Sequence, residues 1–254
     1  MSIIAALIFG IVQGLTEFLP VSSSGHLALL GHFFGLGEQA ILTAVLLHVA
    51  TFFSVCIVMR KQVFYLLQHP FGEKARKIYL ASAITFGIVF LLKGTVEKSF
   101  ENIKFLPWCF LVTAVLLLTA EFYSKNLFKN KPLDYKRAAI IGAVQGIAAL
   151  PGISRRGSTI SAAMLCKVGR EEATDFSFIL SLPIIAASAL WEFLKLKGET
   201  AQNFAVLPNI IAVVLAFTVG IFAIKLMQKL MKKAKMWWFS VYLFLVAIAI
   251  FIFV

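Results

Sequence analysis

Charge is scarce in this sequence. Only 14% of its 254 residues are charged, whereas a soluble domain carries about 25%. Apolar residues make up 60%, and the mean hydropathy is +0.91. That shift excludes an ordinary soluble domain and places the chain in the membrane class. Acidic residues number 12 against 24 Lys and Arg. In a soluble protein that excess suggests nucleic acid. Here the basic residues fall in short stretches between apolar runs, which marks topology instead. Cysteine is nearly absent. Cys56, Cys109 and Cys166 all lie in apolar runs without CxxC spacing, so they are read as small packing residues. No basic stretch precedes the first apolar run, so a cleaved signal peptide is not expected.

What is present is a set of apolar runs. Six are long enough, or nearly so, to cross a bilayer: 41–59, 78–92, 105–123, 176–194, 206–224 and 236–254. A span needs about 20 residues, so 78–92 is short and requires tilt or local thinning. Four pieces are shorter still: 3–12, 27–34, 138–150 and 160–166. Such lengths suit re-entrant segments. Two short pieces and three spans occupy the first half, and the same order recurs in the second. Val12-Gln13-Gly14 then Pro20 is echoed by Val144-Gln145-Gly146 then Pro151, at offsets of 132 and 131. A duplication follows, with repeats of about 1–125 and 126–254. Three crossings per half invert the second half relative to the first. The expected fold is all-α and integral to the membrane. It has two inverted-topology repeats, each a re-entrant broken helical hairpin plus three transmembrane helices.

Lys and Arg counting orients it. One set of loops holds 17 basic residues and the opposite set 5, which puts the first set in the cytoplasm and both termini outside. The basic run Lys225–Lys235 is expected to meet anionic headgroups.

Two polar stretches interrupt the apolar pattern. One runs from Gln13 through Glu17, Pro20, Ser22, Ser23, Ser24 and Gly25 to His26. The other runs from Pro151 through Ser154, Arg155 and Arg156 to Thr159. Ionisable groups at such depth cost about 2.5–3.5 kcal/mol each on insertion scales, so they carry a partner or a function. The prolines break a helix. Ser22–Ser24 and Ser154 then start new helices, whose free N–H groups favour anions. Arg155 can grip phosphate oxygens with both ends of its fork. Glu17 repels a phosphate unless a divalent cation lies between, and Gln13, four residues earlier, adds a neutral oxygen on the same helix face. Ser23 is a candidate nucleophile, and His26, three residues on, a candidate acid, base or nucleophile.

Plainer readings stand beside these. Ser22–Ser24 also serve as helix caps. Gln13 and Glu17 also pair with Arg155 or Arg156 as a bridge between the halves. His26 also fits a hydrogen-bonded structural histidine, and Thr159 a local backbone binder. The coincidence of Glu, Ser, His and Arg in two matching loops favours a site. His48 can face the same cavity. His32 and His69 read as interfacial, and Glu121 and Glu192 as reaching water or a nearby lysine.

At these residues the sequence resembles the undecaprenyl-diphosphate phosphatase family, also called bacitracin-resistance proteins. Gln13 to His26 is similar to the family's Glu/Gln-xxx-Glu followed by FLPVSSxGH, and Pro151 to Thr159 to its PGxSRSxxT. The likeness continues from Thr159 to Pro183. The resemblance implies hydrolysis of a C55 polyprenyl diphosphate to the monophosphate and inorganic phosphate. It implies a divalent cation, Mg²⁺ or Ca²⁺, at Glu17. It also implies a multi-pass protein of the bacterial plasma (inner) membrane with its site towards the outer face. By position, Glu17, Ser23, His26 and Arg155 are the expected catalytic residues. Gln13, Ser22, Ser24, Gly25, Ser154, Arg156 and Thr159 are expected around the substrate. The implied partners are the polyprenyl diphosphate lipid and the bilayer, without nucleic acid; a homodimer is an allowed assembly. Gln13 in place of Glu removes a charge, and Arg156 in place of the second Ser of SRS adds a cation. The alternative is a transporter or flippase of a polyprenyl phosphate, because inverted repeats support alternating access. Glu17 beside a Ser/His pair favours the enzyme, since a carrier needs no nucleophile.

Overall fold

The computed structural model describes residues 1–35, 39–101, 103–126, 130–195, 205–233 and 235–253. The described residues form eleven α-helices and one 3₁₀ turn, with no strand. The first half contains α1 (Ile3–Thr16), α2 (Ser23–Phe34), α3 (Gln39–Val58), α4 (Arg60–Gln68), α5 (Glu73–Glu101) and α6 (Leu106–Asn126). The second contains α7 (Tyr135–Ile147), α8 (Arg155–Leu165), α9 (Arg170–Lys195), α10 (Val206–Lys232) and α11 (Trp237–Phe253).

The short helices start and stop where local chemistry dictates. Ser2 caps α1 by accepting from the Ala5 amide at 3.2 Å, and Asp134 caps α7 from the Arg137 amide at 2.8 Å. An oxygen-bearing residue ahead of each helix satisfies an otherwise orphaned N–H. Pro20 and Pro151 follow α1 and α7 and prevent either from continuing. α2 ends on Gly35 in the left-handed region, φ 60°, the usual helix stop.

Among the described residues, four helices are long and apolar enough to cross a membrane: Glu73–Val96, Ile103–Ser124, Arg170–Trp191 and Val206–Lys232. A fifth arises if Leu42–Val58 and Arg60–Gln68, bent by 83°, count as one. The six apolar runs of the sequence therefore correspond to four or five such helices, with α11 an apolar helix of 17 residues. The run 78–92, expected to be short, lies inside a 29-residue helix. Its Lys and Glu flanks are good helix formers and extend it beyond the apolar stretch. The basic segment after α3 was expected as loop and is the helix α4. Large apolar side chains point outward: Phe53, Phe90, Leu91, Phe222 and Leu245 are each more than half exposed. Exposure on that scale suits lipid rather than water. The chain is a multi-pass helical membrane protein.

Small residues set the packing. α1 lies along α10, and α7 along α5. A Cβ on Gly10 would stand 2.6 Å from the Ala212 carbonyl oxygen, and one on Gly14 2.8 Å from Val219. On α7, a Cβ at Gly142 would stand 2.3 Å from the Ala81 carbonyl oxygen, and one at Gly146 2.7 Å from Ile88. Both pairs are GxxxG, the spacing that lets helix backbones approach inside a bilayer. Gly142→Val is expected to destabilise the fold by about 1–3 kcal/mol through overpacking. The check is a lower thermal midpoint in detergent than that of a Val substitution at Gly94, which has open space around it.

Glu121 was expected to reach water or a lysine. It is buried instead, and Arg170 at the start of α9 donates to it at 2.9 Å. The Glu192 side chain lies outside the described residues.

Candidate active site

Three helix ends meet. The last turn of α1 delivers Gln13 and Glu17, the start of α2 delivers Ser22 to His26, and the start of α8 delivers Ser154 to Thr159. The two broken turns pack on each other. A Cβ on Gly25 would stand 2.6 Å from Phe110 and 3.0 Å from Gly152, and one on Gly157 3.2 Å from Pro20. Ser22 and Ser154 cap their helices identically, each accepting from the amide three residues on, Gly25 at 3.4 Å and Gly157 at 3.0 Å. The cap reading offered for Ser22–Ser24 therefore holds at Ser22, and Ser154 is a cap as well. The Ser154 amide donates to Thr113 of α6 at 3.0 Å, anchoring the second turn.

Glu17 is the hub. It is 7% exposed. The Ser23 hydroxyl donates to its Oε2 at 2.6 Å, and the Gln13 amide donates to the same oxygen at 3.2 Å. His48 Nε2 stands 3.6 Å from Oε2. His48 thus reaches Glu17 from within its apolar run. Short contacts to a carboxylate oxygen are the strong kind, so Ser23 and Glu17 form a hydroxyl–base pair ready-made.

Arg156 is held within the protein. Its Nε donates to the Glu17 backbone oxygen at 2.6 Å, and Nη2 lies 3.7 Å from Glu17 Oε1. Its guanidinium is stacked between Phe18 and Phe178, 4.7 and 4.8 Å from the ring centroids, a cation–π arrangement. Of the plainer readings, the bridge between halves describes Arg156 well: at 2% exposure it touches Glu17 and not the solvent. Arg155, its neighbour, is half-buried; its carbonyl accepts from Thr159, and its guanidinium interacts electrostatically with Glu17 without a side-chain hydrogen bond among the described residues. Its five N–H donors suit an anion.

Ser22 adopts φ 67°, ψ 92°, a conformation that costs a non-glycine residue about 1–3 kcal/mol and gathers at functional sites. Its carbonyl accepts from His26 Nδ1 at 2.8 Å, and its hydroxyl lies 3.3 Å from that of Ser24. The sequence placed His26 within reach of Ser23. In the structure its other nitrogen, Nε2, lies 2.7 Å from the Tyr242 hydroxyl of α11, so both ring nitrogens are engaged away from Ser23. Thr159 donates to the Arg155 and Arg156 carbonyls at 3.0 and 3.2 Å and lies 2.6 Å from the Ser177 hydroxyl. That is the local backbone binding its residue type allows. Tyr242, Thr113 and Ser177 were missed by the sequence reading; no local pattern links them to the two motifs.

A buried carboxylate–hydroxyl pair near the Arg155 guanidinium, at the meeting of two helix N-termini within a multi-pass helical bundle, defines a membrane protein with a polar, cation-bearing site inside an apolar bundle. Residues 6–249 match the family described as Bacitracin resistance protein BacA. The chain is 38% identical over 253 residues to an undecaprenyl-diphosphatase of Carboxydothermus hydrogenoformans, covering 96% of this chain and 95% of that one. It is 38% identical over 257 residues to the enzyme of that name from Treponema denticola, covering 96% and 94%. It is 38% identical over 267 residues to that of Christiangramia forsetii, covering 100% and 98%. The chain belongs to the bacitracin resistance protein family.

Proposed function

We propose that this protein hydrolyses undecaprenyl diphosphate to undecaprenyl phosphate and inorganic phosphate in the bacterial plasma membrane. The observation that carries this reading is the 2.6 Å bond from the Ser23 hydroxyl to Glu17. A carrier of lipid phosphates has no use for an activated hydroxyl; a hydrolase does. Arg155 and the N–H groups at the starts of α2 and α8 receive the diphosphate. Glu17 takes the Ser23 proton as the Ser23 oxygen attacks the terminal phosphorus. The bond from that phosphorus to the bridging oxygen breaks, and the lipid monophosphate leaves. Glu17 gives that proton to the departing monophosphate; water then attacks the phosphorus on Ser23 as Glu17 takes a proton from it, and Glu17 returns that proton to the Ser23 oxygen as inorganic phosphate leaves. Arg155 offsets the negative charge on the transferring group throughout.

The donor set fits a divalent cation. Gln13 Oε1 is buried without a hydrogen-bond partner, and Glu17 is adjacent. No three His, Cys, Asp or Glu side chains group together among the described residues, so the protein alone does not enclose an ion. One carboxylate and one amide oxygen, completed by substrate phosphate oxygens and water, match how Mg²⁺ is held. When bound there, the cation screens Glu17 from the phosphate and polarises the phosphoryl oxygens. Glu17 and Gln13 would be its protein ligands.

The halves 1–125 and 126–254 are inverted repeats in this proposal. Three correspondences support it: the GxxxG pairs at 10/14 and 142/146, their packing on α10 and α5, and the matched caps Ser22 and Ser154. Lysine and arginine distribution supports termini on the outer side, with the site facing outward.

The test reconstitutes the purified protein in vesicles with a polyprenyl diphosphate and follows phosphate release and lipid movement separately. Phosphate release is expected. Lipid movement with no release would replace the enzyme with the flippase reading. In the same assay Arg155→Ala is expected to raise KM by roughly 10–100-fold, the loss of a charged hydrogen bond worth about 1.5–3 kcal/mol.

A further inference from the structure

The last helix reaches into the site through one side chain. Tyr242 lies 216 residues from His26, yet its hydroxyl is 2.7 Å from His26 Nε2. The two rings are parallel within 8°, centroids 5.8 Å apart, and Phe110 meets the imidazole edge-on at 5.4 Å.

The hydrogen bonds assign the proton. His26 Nδ1 faces the Ser22 carbonyl at 2.8 Å. A carbonyl only accepts, so Nδ1 carries the hydrogen. In the neutral ring Nε2 is then bare and accepts from the tyrosine O–H; in the charged ring it donates to the tyrosine oxygen. A hydroxyl fills either role, so Tyr242 keeps its bond to the ring in both states. The other end of the imidazole holds Ser22, whose backbone sits in the left-handed region at φ 67°. That turn directly precedes Ser23, whose hydroxyl must meet Glu17. Strained backbone persists only where its surroundings over-determine it, and His26 is one of the groups that do so here.

We infer that Tyr242 is a positioning residue for the reaction: its hydroxyl fixes the His26 imidazole, which holds the Ser22 turn and so aims Ser23 at Glu17. The α11 helix thereby completes an active site built otherwise from α1, α2 and α8. The role rests on the hydrolase reading above.

The experiment is a double-mutant cycle on the full chain in detergent, with Tyr242→Phe, His26→Ala and the pair, reading kcat and KM for polyprenyl diphosphate hydrolysis. Phenylalanine keeps the stacked ring and removes only the hydroxyl, and a single size-exclusion peak verifies the fold. Tyr242→Phe is expected to lower kcat by roughly 10-fold, the low end for a partner that orients a histidine, with KM within about twofold of wild type. In the His26→Ala background the same change is expected to do nothing further, since the two act as one unit. Unchanged kcat in Tyr242→Phe overturns the inference and leaves the hydrolase standing. So does a 10-fold loss that persists in full without His26, because the effect would then not pass through the imidazole. Absence of phosphate release in the wild type overturns the hydrolase reading and this role with it.

Discussion

Ser23→Ala is expected to lower phosphate release by at least about 10³-fold, the scale on which removing a nucleophile acts in an enzyme whose groups work as a unit. The reason is local. Ser23 is the hydroxyl bonded to Glu17 at 2.6 Å, and the neighbouring hydroxyls have other work. Ser22 caps α2, and Ser24 contacts Ser22. Neither can replace Ser23 without rebuilding the turn. Binding of the lipid diphosphate is expected to survive, because Arg155 and the helix N-termini are untouched. Equilibrium binding of a labelled substrate to the variant checks this. Ser23→Cys retains a group that can be deprotonated and is expected to keep more activity than Ser23→Ala. Phosphate release by Ser23→Ala within tenfold of wild type would assign the attack to water or to another residue.

The second large effect is on stability. Arg156→Ser is expected to destabilise the fold by about 3–5 kcal/mol, the cost of removing one partner from a buried ion pair. Glu17 would lose the ion pair at 3.7 Å and the bond to its backbone oxygen at 2.6 Å. Phe18 and Phe178 would lose the planar group between them. Arg156→Lys is expected to restore little, since an ammonium has neither the fork nor the flat face. Glu17→Gln added to Arg156→Ser is expected to recover part of the stability loss, because the buried charge left behind is gone, while the loss of the Glu17 base removes activity. Thermal unfolding in one detergent of wild type, Arg156→Ser, Glu17→Gln and the double variant measures the coupling. An Arg156→Ser midpoint equal to that of wild type would mean that the stacked guanidinium contributes nothing net.

Much of this was legible along the chain. Pro20 and Pro151, each followed by serines, marked where α1 and α7 stop and where α2 and α8 begin. The reason is that helix breaks and caps are decided within a few residues. Glu17, Ser23 and Arg155 stood out because charge and hydroxyls in an apolar context demand a reason. What was illegible depends on distant partners. The sequence offered two fates for Arg156, substrate or Glu17, and only the approach of Phe18 from the turn after α1 and of Phe178 from α9 directs it to Glu17. His26 was paired by proximity with Ser23, whereas its partner Tyr242 comes from the far end of the chain. Glu121 was expected to reach water or a nearby lysine because a helix end suggests it; Arg170 reaches it from α9. The length of α5 was underestimated because apolarity stops at residue 92 while helix propensity continues through Lys93 and beyond. The bend at Met59 that separates α3 from α4 has no proline to announce it.

The most direct measurement is inorganic phosphate released from undecaprenyl diphosphate by the purified wild-type chain, with Mg²⁺ and with EDTA, beside Glu17→Ala. Release that requires the cation and vanishes without Glu17 is the expected result. Equal release from Glu17→Ala would contradict the site, and no release from folded, lipid-binding wild-type protein would contradict the function.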